Sequence, residues 1–237
     1  GVASRVGGLG GAAGGGIVIL RNGGIAGCAP LTNAWTADPL PRDTPALLGW
    51  RQGSNAPALL VALSSYEDGA TDATALRLLE ATATDVLPDW AASAGPLALA
   101  DVDGDGDLDV FLGGRVIPGR WPAASDSRLL RREPDGWRED PEDAVLLRGL
   151  GLVTAAIFSD LTGDGFPELI VACEWGPVTL FKNHRGRLEP WDVPLQPAAR
   201  PTPHAPHSTL RSLTGLWQSL AAGDFDGDGR LDLVLGN

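Results

Sequence analysis

The feature that most constrains this chain is a nine-residue acidic loop that occurs three times, each time between apolar runs. DVDGDGDLD at 101–109, DLTGDGFPE at 160–168 and DFDGDGRLD at 224–232 fall into one register, their first aspartates 59 and 64 residues apart. The residue before each first aspartate is small: Ala100, Ser159 or Gly223. Apolar residues follow the ninth position, Val110 to Leu112, Leu169 to Val171 and Leu233 to Leu235. Short apolar runs bounded by turn residues read as strands buried on both faces. A period of roughly 60 residues has room for four strands, which predicts one four-stranded antiparallel sheet per repeat.

Further strands fit that plan. RLLRRE at 128–133 is followed by DGW at 135–137, and VTLFKN at 178–183 by RGRLEP at 185–190. IVILRNGG at 17–24 resembles the VTLFKN strand and its turn, so the chain is expected to start inside a repeat. ALLVALSS at 58–65 and TALRLLEA at 74–81 read as a repeat whose loop, SYEDGATD, lacks the acidic spacing. The expected organisation is a single region. It comprises a partial repeat with a Gly-rich loop at 1–45, a degenerate repeat at 46–94, acidic-loop repeats at 95–150 and 151–214, and the start of another at 215–237. The 32 glycines and 19 prolines, against one tyrosine and no methionine, favour short elements joined by turns, hence an all-β chain. At 43% hydrophobic residues the chain can bury a core, and its length suits a single all-β domain.

Five aspartates within nine positions repel one another unless a cation lies between them. Counting the first aspartate as one, side-chain oxygens stand at positions one, three, five and nine: Asp101, Asp103, Asp105 and Asp109; Asp160, Thr162, Asp164 and Glu168; Asp224, Asp226, Asp228 and Asp232. Glycines at four and six permit the sharp turns that winding around one point requires. The carbonyl at position seven, from Asp107, Phe166 or Arg230, offers a further oxygen. Six to eight oxygens of mixed carboxylate and carbonyl type suit Ca²⁺ rather than zinc or magnesium. About three structural calcium ions are therefore expected, one per loop, and Thr162 makes the middle loop the weakest. An EF-hand is excluded because position twelve is Leu112, Val171 or Leu235 instead of glutamate, and β-patterned runs flank the loop. Plain acidic turns account poorly for three copies with the same flanks.

Other chemistries find less support. The formal charge of −12 argues against nucleic acid or an anionic membrane as partner. No apolar run approaches the roughly 18 residues of a membrane span. The chain opens GVASRVGG without an initiator methionine, so its start is read as cut away and compartment stays open. Cys28 and Cys173 form one bridge or none, and both read best as small buried apolar residues. GLGGAA at 8–13 matches a dinucleotide fingerprint in form, but three more glycines follow where a helix should propagate. His204 and His207 sit in a proline-rich connector and read as solvated. No G-x-S-x-G elbow and no zinc-type Cys/His spacing occurs. The tryptophans, Trp121, Trp175 and Trp217 among them, are expected to pack between sheets.

The three loops and their flanks resemble the FG-GAP or VCBS repeat of integrin-α-type β-propellers. GGRVIPGRWP at 113–122, ACEWGPVTLFKN at 172–183 and GLWQSLAAGDFDGDG at 215–229 look more closely like bacterial secreted VCBS-repeat proteins of the ASPIC/UnbV family, relatives of cartilage acidic protein. The resemblance covers residues 95–237 well and 1–94 loosely, and no ASPIC/UnbV segment itself is present. It implies four-stranded blades with calcium between the first two strands, about four repeats forming an incomplete ring, and a secreted or cell-surface location. The function it implies is a non-catalytic scaffold or adhesion module for a protein or glycan partner. The alternative is a propeller enzyme acting on polysaccharide, a lyase or hydrolase. With Tyr66 and three histidines as the usual proton-transfer groups, that enzyme would lean on Glu and Arg.

Overall fold

The computed structural model describes residues 2–5, 16–22, 27–31, 40–50, 57–80, 82–194 and 209–237. The chain divides into two compact units, Gly1–Gly95 with Val116–Trp121 and Pro96–Arg115 with Pro122–Asn237. Nearly all regular structure is β, as the turn-rich composition predicts.

In the first unit, β1 (Val2–Arg5), β2 (Gly16–Asn22) and β3 (Cys28–Leu31) form a three-stranded antiparallel sheet. β4 (Ala46–Trp50), β5 (Ala58–Ala62), β6 (Leu76–Leu79) and β7 (Ala83–Leu87) form a four-stranded antiparallel meander. The apolar run of β5 is buried along its whole length, and Leu59, Val61 and Leu63 cluster with Leu40 and Leu79. One sequence reading changes here. SYEDGATD joins β5 to β6, the second and third strands, so it is not the counterpart of the acidic loops. That counterpart is the β4–β5 connection, residues 51–57, whose sequence RQGSNAP contains no carboxylate.

In the second unit, β8 (Ser93–Ala100), β9 (Asp109–Val116), β10 (Arg128–Glu133) and β11 (Gly136–Glu139) pair in chain order. A short helix, α1 (Pro141–Leu146), follows. The all-β reading left it out, although its start is written locally: the Asp140 side chain accepts from the Glu142 N–H at 2.7 Å, and Pro141 occupies the first helical position.

β12 (Leu152–Ser159), β13 (Glu168–His184) and β14 (Arg187–Trp191) make the next sheet. β13 is a hairpin rather than one straight strand. Extended, its 17 residues would hold its ends about 50 Å apart, yet the Asn183 amide donates to the Pro167 carbonyl at 3.1 Å. The reversal falls at Trp175 and Gly176, where Trp175 has φ +58 and a Cβ on Gly176 would stand 2.9 Å from that of Cys173. The first arm pairs with β12 and the second with β14, which restores the four-stranded plan. β15 (Thr214–Leu216) pairs across the reversal, and β16 (Ser219–Gly223) and β17 (Asp232–Gly236) form a final antiparallel pair.

The sheets of this unit stack face to face. Leu169, Val171, Cys173 and Phe181 pack with Phe111 and Leu129 of the preceding sheet, Val102 of its acidic loop and Leu147 at the end of α1. Ile170, Ala172, Val178 and Leu180, on the opposite face, pack with Leu220, Leu233 and Leu235 of the final pair. Alternation along β13 thus supplies two cores, the two-sided burial that its unbroken apolar run predicts. Phe111 is fully buried, so Phe111→Ala is expected to cost about 3–5 kcal/mol in urea unfolding, with an unchanged m-value.

Candidate metal centre

Each acidic loop joins the first two strands of its sheet: β8 to β9, β12 to β13 and β16 to β17. All three share one hydrogen-bond pattern. The first aspartate accepts the N–H of the fourth residue on Oδ1 and of the sixth on Oδ2: Asp101 from Gly104 (2.8 Å) and Gly106 (3.0 Å), Asp160 from Gly163 (2.8 Å) and Gly165 (2.9 Å), Asp224 from Gly227 (2.7 Å) and Gly229 (3.0 Å). The fifth accepts from the seventh: Asp105 from Asp107 (2.8 Å), Asp164 from Phe166 (2.9 Å), Asp228 from Arg230 (2.8 Å). The ninth accepts from the second: Asp109 from Val102 (3.0 Å), Glu168 from Leu161 (2.8 Å), Asp232 from Phe225 (2.9 Å). The glycines at four and six have φ between +74 and +95 in all three copies, a region that side chains with a Cβ rarely enter.

This wrapping turns the side chains towards a common point. In loop one, carboxylate oxygens of Asp101, Asp103 and Asp105 lie within 4.8 Å of one another, and in loop three those of Asp224, Asp226 and Asp232 do. Oxygens on opposite sides of one calcium sphere are separated by about 4.6–5.2 Å, so these groups have the right span and donor type for that ion. Among the described residues no ion pair reaches Asp101, Asp103, Asp105, Asp224, Asp226 or Asp232. Asp228 lies outside the converged group of loop three, and Asp160, Thr162, Asp164 and Glu168 do not form one in loop two. Thr162 instead turns its hydroxyl to Glu168, 3.4 Å away.

Asp109 is also outside the converged group, for a visible reason. It is 1% exposed, its Oδ1 accepts the Arg132 N–H at 2.9 Å, and its Oδ2 faces the Arg131 guanidinium at 3.4 Å. Burial pushes its carboxyl up to about 6, against the pull of the Arg132 and Val102 N–H groups and of Arg131. Arg131 also donates to Asp143 of α1 at 2.8 Å and to the Gly186 carbonyl. Burial raises Asp143 as well, with Arg131 opposing. Sequence reasoning missed Arg131, Asp143 and Asn183, since nothing in their local pattern marks them. In the sequence, an arginine on a strand reads as solvent-facing.

Cys173 is a free, buried thiol, pushed up to about 11 by burial, while the side chain of Cys28 lies outside the described residues. So do GLGGAA at 8–13, His204 and His207. Trp217 is half-buried and packs in a core, but Trp121 and Trp175 are 58% and 65% exposed, so these two do not pack between sheets as expected. Both follow a second strand, where the chain reverses into the polar surface. No helix among the described residues is long and apolar enough to cross a membrane.

Comparison with known families bears on the loops directly. Residues 160–235 match the FG-GAP-like repeat family model. The span starts at the first aspartate of loop two and ends inside β17, so the FG-GAP-like repeat takes in both the second and third loops. The match supports the FG-GAP/VCBS repeat reading of these segments. A comparison with curated proteins found no match.

Two measurements check this geometry. Arg131→Met, which strips two buried carboxylates of their cation, is expected to destabilise the metal-free protein by about 3–5 kcal/mol in urea unfolding. Iodoacetamide at neutral pH, read by peptide mass spectrometry, is expected to label Cys173 in urea and leave it unmodified in the folded protein.

Proposed function

We propose that this chain is a non-catalytic, calcium-binding β-propeller scaffold that presents its loops to an extracellular protein or glycan. The observation that carries the reading is the threefold hydrogen-bond pattern, which in loops one and three gathers three carboxylates that no ion pair among the described residues offsets. Loop two adds a second kind of support. Glu168 is fully buried, yet among the described residues its hydrogen-bond donors are two backbone N–H groups and the Thr162 hydroxyl, all neutral. A buried carboxylate without a cation is costly, and a divalent ion in the loop would offset that cost.

The net charge of −12 would be halved by three calcium ions. Ions that bind the folded state alone would stabilise it by on the order of 3 kcal/mol at a hundredfold excess over Kd. Extracellular modules bind calcium in the range of about 10⁻⁴ to 10⁻³ M, which suits a secreted or cell-envelope location. The finer kinship proposed is with bacterial secreted VCBS-repeat proteins of the ASPIC/UnbV family, on the residues following the second strands. The FG-GAP-like repeat match supports the coarser level of that kinship.

Calorimetric titration, with thermal unfolding in calcium and in EDTA, tests the reading. About three ions and a melting temperature that rises with them are expected; no bound calcium and an unchanged melting temperature would sink the proposal. Asp105→Asn, Asp164→Asn and Asp228→Asn, each weakening one loop, should place the lowest affinity at loop two, where Thr162 replaces an aspartate.

A further inference from the structure

Loop one has a neighbour in the following sheet. The third hairpin of the following sheet, closed by Arg185 and Gly186 between β13 and β14, lies directly against it. A Cβ on Gly186 would stand 2.7 Å from that of Asp103, and Gly186 has φ +95, so the contact is backbone against ligand residue. The fully buried Asn183 donates to the Val102 carbonyl at 2.8 Å and to Pro167 at 3.1 Å, while its oxygen accepts the Gly186 N–H at 2.8 Å. Val102 is therefore held on both sides, its N–H by Asp109 and its carbonyl by Asn183. Arg131 closes the circuit, joining Asp109 of the loop, Asp143 of α1 and the Gly186 carbonyl. A Cβ on Gly104 would meet the Phe166 ring at 3.0 Å, and the Arg185 guanidinium lies over that same ring at 5.8 Å.

The equivalent residue in the next sheet is wired differently. Counting back from the two-residue turns that follow Glu133 and His184, Lys182 stands where Arg131 stands. Its ammonium lies over Trp191 at 5.9 Å, and no ion pair among the described residues joins it to Glu168.

We propose that loop one is the clamp of the joint between these two sheets, with Asn183, Gly186 and Arg131 as positioning residues that couple cation binding by Asp101, Asp103 and Asp105 to the docking of the 183–186 turn. The inference rests on the calcium reading above and adds a direction to it: binding at loop one orders the 183–186 turn of the neighbouring sheet. Coupling is reciprocal, so a turn that docks poorly weakens loop one by the same factor.

Hydrogen exchange by mass spectrometry on the peptide spanning residues 182–188, with calcium and with EDTA, tests it, with ions counted by calorimetry. Calcium is expected to slow exchange of that peptide about fivefold or more in the unaltered protein. The slowing should vanish when Asp103→Asn and Asp105→Asn are combined, and persist when Asp226→Asn and Asp228→Asn are combined, each pair removing one ion. Gly186→Ala, which pushes a methyl into Asp103, should weaken loop one about fivefold or more and leave loop three unchanged. Ions bound at loop one with an unresponsive turn, or slowing that survives the loop-one substitutions, would overturn the coupling alone. The absence of any bound ion would overturn the calcium reading and the coupling together.

Discussion

The bond on which the rest depends is the one from the second loop residue's N–H to the carboxylate at position nine. Asp109, Glu168 and Asp232 are each the first residue of a second strand, and each reaches back to close its loop. Backbone donors in a tight turn need partners, and here the acidic side chains supply them. Positions one and five take the N–H groups at four, six and seven in the same way. Satisfying the backbone and collecting negative charge are consequently one event. The repulsion that results is built into the fold, and the proposed cation would relieve it.

Loops with one wrapping acquire different surroundings from the sheets beside them. In loop one, the ninth carboxylate is buried against Arg131; in loop two, Glu168 is buried with only neutral donors among the described residues; in loop three, Asp232 is half-exposed and belongs to the converged group. The repeat therefore fixes the local wrapping, while side chains from other strands decide how each carboxylate is offset. Arg115 and Glu174 illustrate the same division. They occupy equivalent positions 59 residues apart, the spacing of Asp101 and Asp160, yet they carry opposite charges and pair with each other across neighbouring sheets. Different residues at one repeated position thus form a specific contact.

Much of this was legible in the sequence because it is local. The acidic loops, the strands that flank them and the two-sided burial of Leu169 to Val171 all follow from spacing and from runs of apolar residues. The position of SYEDGATD was misread because the degenerate repeat lacks the one landmark that fixes strand order, and its true loop, RQGSNAP, has no acidic signature. Arg131 and Asn183 were invisible for a different reason. Their partners, Asp109, Asp143, Val102 and Gly186, are spread over 85 residues, and only the stacking of sheets brings them together. The exposure of Trp175 was equally hidden, since an aromatic residue after an apolar run reads as core until the chain is seen to reverse there.

Two kinds of cohesion can be separated in the second unit. The apolar faces of β9, β10 and β13 bury Phe111, Leu129, Leu169 and Phe181 without involving a charged group, so the sheets have a driving force of their own. The loops and the 183–186 turn are held instead by carboxylates, an arginine and an amide, groups whose burial is favourable only while each keeps its partner. Loss of the proposed cation would then fall first on the loops and on the 183–186 turn beside loop one, leaving strand pairing in place.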